Sequence, residues 1–227
     1  MQTDPKDFLL SGLALAGLAI LTVLIVVMGV QPLSARVVGD YHWLVDGVAM
    51  LLVYGLLSSL LVRSMLAVFP LRPGEYRMND PHFTYWKFYT VVHEFGRGAL
   101  LPFTTVFAKP LVAMLFGARV GRNTAMGGML VDPPLISIGD FAIIGLDSAV
   151  VAHAITSGSI ILKPVKIGRS ATVGVHAVVM PGADIGDGAV VTAGSVVTMN
   201  TVVPPNELWG GIPAKKIKDL QPTDVRE

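Results

Sequence analysis

The chain has 227 residues, 52% of them hydrophobic and 15% charged, with a formal net charge of +1 and no cysteine. Its mean hydropathy is +0.64, well above an ordinary soluble domain, where about 45–50% apolar residues is usual. Lack of cysteine excludes a disulfide framework and any Cys-ligated metal, and the near-neutral charge offers no footprint for nucleic acid.

The apolar excess sits at the N-terminal end. "FLLSGLALAGLAILTVLIVVMGV", Phe8 to Val30, carries no charge, and "HWLVDGVAMLLVYGLLSSLLVRSMLAVF", His42 to Phe69, carries only Asp46 near its start and Arg63 near its end. A helix needs roughly 20 apolar residues to span a bilayer, so residues 1–70 are expected to form a hairpin of two transmembrane helices, at about 8–30 and 43–67. A signal peptide fits less well. The leader "MQTDPKD" is not basic, the apolar run exceeds the ~7–15 residues of such a region, and a second span follows at once. The intervening loop "QPLSARVVGDY" holds only Arg36, whereas Arg63, Arg72, Arg77 and Lys87 come after the second span. Basic residues mark the cytoplasmic side, so both termini and all that follows residue 70 are expected in the cytosol. The expected location is the cytoplasmic membrane, multi-pass, with lipid as a partner.

Residues 71–117 change character. "RPGEYRMNDP" reads as a polar linker. The stretch after it mixes aromatics, bases and aliphatics, with Tyr85, Trp86, Phe88 and Tyr89 around Lys87. That makeup suits an amphipathic helix in the membrane interface or a helical neck packed on the next domain. Pro102 and Pro110 should break it into two or three helices.

From residue 118 to 205 the sequence repeats every six residues. Ile167, Val173, Val179, Ile185 and Val191 are followed four places later by Ala171, Ala177, Ala183, Ala189 and Ser195. Upstream, Val120, Met126, Ile138, Ile144 and Val150 keep the same frame, with Asp132 falling in an aliphatic slot; between Val150 and Ile167 the frame breaks. Neither helix nor simple strand has this period. Three short flat strands closing one triangular coil do, with the aliphatic pointing inward and the small residue turning the corner. Coils stacked as parallel strands, roughly 4.8 Å apart, bury one another's cores as in other solenoids. About four to five coils are expected.

With "VTAGSVVTMNTVVPPNELWGGIPAKKIK" as its closing run and "IGRSATVGVHAVVMPGADIGDGAVV" before it, the chain resembles the hexapeptide-repeat acyltransferases over residues 117–218. It is similar to the galactoside/xenobiotic acetyltransferase branch, and residues 83–218, including "LFGARVGRN", look like the membrane-associated C-terminal region of poly-lysine synthetases. The resemblance implies a left-handed parallel β-helix, a homotrimer, and acetyl-CoA or another acyl-CoA lying between two prisms. It implies acyl transfer to a hydroxyl or amine. The expected architecture is then a transmembrane helical hairpin, a short helical connector, the β-helix, and a CoA-binding element with tail at 206–227.

Acyl transfer from a thioester needs a base for the acceptor. Of five histidines, His42 lies at a membrane edge, and His82 and His93 read as interface or capping residues. His153 falls where the repeat breaks; a break in a solenoid is expected to be a loop, and loops carry function. The galactoside branch holds its catalytic His there, one coil before a restart like "PVKIG". His153 is therefore the expected general base. His176, at a corner, is a candidate lining the donor groove. Asp132 cannot point into the prism unpaired; it either binds acceptor, as the resemblance implies, or forms the turn before Pro133 and Pro134. Asp147 could orient His153 or sit solvated at a corner. The acceptor-binding Asn of the galactoside branch is replaced by Gly127 and Gly128, and residues 154–183 contain no acid. The base is thus expected to be oriented by a backbone carbonyl or a neighbouring subunit, and the acceptor, a small molecule, glycan or amine of the envelope or membrane, is open. For CoA the candidates are Gly194 and Ser195 at a corner, and Gly210, Gly211 and Ala214, whose N–H groups could meet pantetheine amides. Lys215 and Lys216 could meet phosphates, and Trp209 could stack on adenine or cap the prism. No metal is expected. A metal hydratase of the gamma carbonic anhydrase kind needs closely spaced histidines, and only His153 and His176 fall in the prism. A non-catalytic trimeric scaffold is the remaining alternative.

Overall fold

The computed structural model describes residues 5–221. The chain forms two compact units: one takes the residues up to Pro70 together with Asn79–Thr104, the other takes Leu71–Met78 and the chain from Thr105 on.

In the first unit, α1 (Pro5–Ile25) continues through a π-helical turn, Val26–Val30, into α2 (Gln31–Val38), and a 3-10 turn, Gly39–Tyr41, leads to α3 (His42–Val68). Pro5–Val68 is thus a continuous series of helical segments spanning 64 residues, long and apolar enough to cross a membrane, and its most apolar window is only 17% buried. Residues 31–38, expected as loop, are helical instead. Pro32 stands in the first turn of α2, directly after the π-helical turn Val26–Val30, so the backbone donor it lacks falls within the run and not at a free helix start. Gly39, at φ 57° and ψ −131°, ends that segment, and α3 lies against α1 and α2. Asp46 inside this run is not left bare. Ser34 Oγ donates to its Oδ1 at 2.7 Å and His42 Nδ1 sits 2.8 Å from its Oδ2.

Further along, α4 (Pro81–Leu100), preceded in the chain by a strand described below, starts at Asp80, whose carboxylate accepts the His82 N–H at 2.8 Å. It buries Phe83, Trp86, Tyr89, Val92 and Leu100 against α3 and α1, and Lys87 pairs with Asp7. His82 serves the helix cap, and His93, 2% exposed, stacks on Tyr89. The breaks at Pro102 and Pro110 appear as a 3-10 turn, Leu101–Phe103, and the start of α5 (Lys109–Leu115) in the second unit.

The second unit is a three-sided β-solenoid of the left-handed β-helix kind. Its first strand in the chain is β1 (Gly74–Arg77). The coils then run β2 (Arg119–Val120), β3 (Ala125–Met126), β4 (Met129–Val131); β5 (Ile136–Ile138), β6 (Ile143–Ile144), β7 (Ala149–Val151). After an interruption formed by β8 (His153–Ile155) and β9 (Ser159–Leu162) come β10 (Val165–Ile167), β11 (Thr172–Val173), β12 (Val178–Val179); β13 (Asp184–Ile185), β14 (Val190–Val191), β15 (Val196–Val197); then β16 (Val202–Val203), β17 (Glu207–Gly210) and β18 (Lys215–Asp219). The three faces are the parallel stacks β2-β5-β10-β13-β16, β3-β6-β11-β14-β17 and β4-β7-β12-β15, with β18 antiparallel on β17. Four coils are complete and a fifth is begun.

The six-residue pattern produces this object for a plain reason. Ile138, Ile144, Val150, Ile167, Val173, Val179, Ile185, Val191 and Val197 all point inward at 5% exposure or less, and the intervening Ala171, Ala177, Ala183, Ala189 and Ser195 are as deeply buried. Each fully buried Val or Ile contributes about 1.5–3 kcal/mol of transfer free energy, and no coil can obtain it without neighbours. Along the corner between the first two faces, Asp140 Oδ1 accepts the Arg122 N–H and Asp187 Oδ1 the Arg169 N–H, each at 2.7 Å, tying adjacent coils together.

Two elements differ from expectation. The "linker" after Pro70 contains β1, which pairs antiparallel with β9 through Gly74↔Leu162, Glu75↔Ile161, Tyr76↔Ile160 and Arg77↔Ser159. The interruption is no open loop: β8 and β9 form a hairpin, so that β1, β9 and β8 make a three-stranded sheet on the solenoid.

Candidate active site

The hairpin leaves the prism at the corner after β7, and Asp132 stands at the same corner one coil earlier, just after β4. Val131 pairs with Val151 across those strands, so the residues that follow each are neighbours. His153 Nδ1 lies 2.6 Å from Asp132 Oδ2. The Asp132 side chain is 1% exposed and that of His153 19%, which leaves the ring partly open to an incoming molecule while its partner is closed off.

This corrects the frame of the first coil. Asp132 does not occupy an aliphatic slot. Leu130, 5% exposed and paired with Val150, fills it. The turn between β3 and β4 is shortened by Gly127 and Gly128, where a Cβ at Gly128 would come 2.4 Å from the Ser148 carbonyl oxygen. With two residues fewer in the turn, β4 ends at Val131 and Asp132 takes up the left-handed conformation, φ 63° and ψ 60°, ahead of the 3-10 turn Pro133–Leu135. Asp tolerates that region better than most residues. Asp132 therefore forms the turn and holds the imidazole at once. The group found beside the imidazole, where a backbone carbonyl or another subunit was expected, is this carboxylate.

Asp147 does not reach that role. Asp147, His176 and Gly194 occupy equivalent positions in three successive coils, all with positive φ (53°, 56° and 67°). The His176 N–H donates to the Leu146 carbonyl and the Gly194 N–H to the Val175 carbonyl. This column runs along the corner before β7, one strand away from His153 and Asp132. Asp147 and His176 are exposed there.

At the C-terminal end the candidate donor-binding groups are largely engaged in closing the prism. The Gly211 N–H donates to Ser195 Oγ at 3.1 Å, which also meets Thr192 Oγ1 at 2.8 Å, and the Ala214 N–H donates to the Val196 carbonyl at 2.8 Å. Those two N–H groups, expected to meet a ligand's amides, are therefore already used. Trp209 Nε1 donates to Glu207 Oε2 and Lys216 Nζ to Glu207 Oε1, both at 2.7 Å, with Asp219 Oδ1 at 2.7 Å on the same ammonium. Lys216 is held as an ion pair, while Lys215 stands exposed on β18. The Glu207 carboxyl is held below its usual range by the hydrogen bond from Lys216 and then that from Trp209. Lys216 is raised by the bonds to Asp219 and Glu207.

A shallow groove of about 560 Å³ lies on the β2-β5-β10-β13-β16 face, lined by Asp140, Lys166, Arg169, Asp184 and Asp187 among others. None of the candidate site residues, His153, Asp132, Asp147, His176, Gly194, Ser195 or those of the C-terminal end, lines it. Among the described residues no three His, Asp or Glu side chains gather as a metal site.

Residues 164–199, within the solenoid, match the family model described as the hexapeptide repeat of succinyl-transferase. No curated protein matches the chain. Among solved structures, a hexapeptide-repeat-containing acetyltransferase from Vibrio cholerae is 30% identical over 47% of this chain and 64% of its own, with a TM-score of 0.43. A maltose O-acetyltransferase from Clostridium difficile 630 is 23% identical over 70% of this chain and 97% of its own, at 0.41. A galactoside acetyltransferase in complex with coenzyme A is 19% identical over 73% and 94%, at 0.49. The chain spans less than two thirds of the Vibrio protein's length.

Proposed function

We propose that the protein is an acyl-CoA-dependent acyltransferase, acetyl being the simplest group, acting on a hydroxyl or amine with His153 as general base. The observation that carries this reading is the 2.6 Å contact between His153 Nδ1 and the buried Asp132 at the break in a hexapeptide-repeat prism. A carboxylate only accepts hydrogen bonds, so Nδ1 holds the proton and Nε2 is the nitrogen whose lone pair can act as base. As the acceptor oxygen or nitrogen attacks the thioester carbonyl, Nε2 removes its proton. The new C–O or C–N bond forms, the C–S bond breaks, and the departing thiolate recovers the proton from the imidazolium.

The reading places this chemistry in a homotrimer, with the donor along a seam between prisms near Gly194, Trp209 and Lys215. The exposed, apolar Pro5–Val68 run supports membrane anchoring. Two spans with the Gly39 turn outside would leave both ends and the solenoid in the cytosol, where acyl-CoA is available. The acceptor is then a molecule of the envelope or one delivered at the membrane.

The test is transfer itself. Full-length protein in detergent, given acetyl-CoA and a panel of amines and envelope sugars, is expected to release free thiol in step with an acetylated acceptor. Thiol release that never exceeds the protein-free rate with any acceptor contradicts the proposal.

A further inference from the structure

We infer that β1 is a positioning strand for the proposed base, and that Glu75 fastens it through Ser159. This rests on the reading of His153 given above. The base sits on β8, the edge of the sheet β1-β9-β8. A lone two-stranded hairpin is marginally stable at best in water, and a third strand is what makes such a ribbon persist. Here the third strand is β1, paired with β9 over four residues and extended by the Met78 N–H to the Gly158 carbonyl at 3.3 Å.

The row Gly74–Leu162–His153 runs directly across the three strands. Leu162 and Ile160, on that face of β9, are 1% and 0% exposed, so any slip of β9 moves the strand that carries the imidazole. On the opposite face Ser159 Oγ donates to Glu75 Oε1 at 2.7 Å and meets Thr156 Oγ1 at 3.0 Å, joining β1 to both limbs of the hairpin tip. Glu75 itself is exposed and outside the prism core. It touches none of the reacting groups and acts only through the hairpin.

The experiment compares wild type, Glu75→Ala and Glu75→Gln as full-length protein, by amide hydrogen exchange and by thiol release from acetyl-CoA. Glu75→Ala is expected to speed exchange across 153–162 by about tenfold, leaving β11–β14 unchanged. It should lower kcat by about tenfold through misplacement of the base, with KM for acetyl-CoA within about twofold. Glu75→Gln keeps an acceptor for Ser159 and should restore both. Unchanged exchange in Glu75→Ala overturns the inference whatever the activity. Faster exchange with wild-type kcat overturns the positioning role, and a Gln variant as impaired as Ala overturns the hydrogen bond as its means. Ser159→Ala removes the same bond from the other side and gives the same readouts if Glu75→Ala does not fold. Should His153→Ala retain thiol release, the base assignment fails, while the exchange data still judge the strand.

Discussion

A neutral imidazole carries one proton, and on the proposed reading Asp132 decides which nitrogen of His153 keeps it. The carboxylate can do so because it is buried beside the ring at 2.6 Å, where water does not compete for the bond. Asp132→Asn keeps the size and the turn but can present an N–H to Nδ1, favouring the tautomer with its proton on Nε2. The expected result is a fall in kcat on the order of 100-fold, with acetyl-CoA binding by calorimetry unchanged. An Asn variant with wild-type kcat would show that the pair serves only the turn. His153 stood out as a candidate in the sequence because the repeat stops there. Counting in sixes set Asp132 in an aliphatic slot and left it as an acceptor-binding or turn-forming residue, so its contact with His153 was not expected; Gly127 and Gly128 cut the turn short and Leu130 takes the slot. That doublet of glycines, at a turn whose counterparts carry larger residues, was the available signal.

Elements that repeat were readable, and elements defined by a distant partner were not. The coils follow from local spacing, since each inward Val or Ile implies the next. By contrast β1 is four residues of polar sequence whose only argument for being a strand is β9, more than eighty positions away. The C-terminal clasp of β17 and β18 is likewise set by side chains that meet only after folding: Glu207, Trp209, Lys216 and Asp219. Its pH dependence has two signs. Glu207 is depressed when folded, so its contribution is present above the ordinary glutamate range and lost as pH falls through the lowered value. Lys216 is raised, so its contribution holds below the ordinary lysine range and is lost as pH rises through the raised value. Emission of Trp209, taken as the difference from a Trp209→Phe variant, is therefore expected to be flat between about pH 6 and 9 and to change beyond either end. A response centred near neutrality, or none at the acid end, would contradict the clasp as described.

At the scale of the molecule, the two units ask for different surroundings. The helical run shows water large apolar side chains on many sides, including Leu13 at 64%, Met28 at 77% and Trp43 at 61% exposure. Patches of that kind mark membrane or partner contact. The absence of native cysteine makes topology easy to test with single introduced thiols. By the positive-inside rule, Val37→Cys in intact cells should react with an impermeant maleimide, and Lys218→Cys only after permeabilisation; the reverse pattern, or labelling of both, contradicts two spans with a cytosolic solenoid. The solenoid was plain in the sequence because its period is a packing rule. The course of the helical run was only half plain, since a charge-poor stretch broken by "QPLSARVVGDY" reads as two spans and a loop, whereas the chain stays helical through Val38. What joins the scales is the claim that this anchored prism moves acyl groups with one imidazole. The measurement closest to it is thiol release from acetyl-CoA by the wild type and by His153→Ala, at equal protein content, equal assembly state and with the best acceptor found. A loss on the order of 100- to 10,000-fold with donor binding intact is the predicted result, and a His153→Ala protein that turns over at the wild-type rate would contradict it.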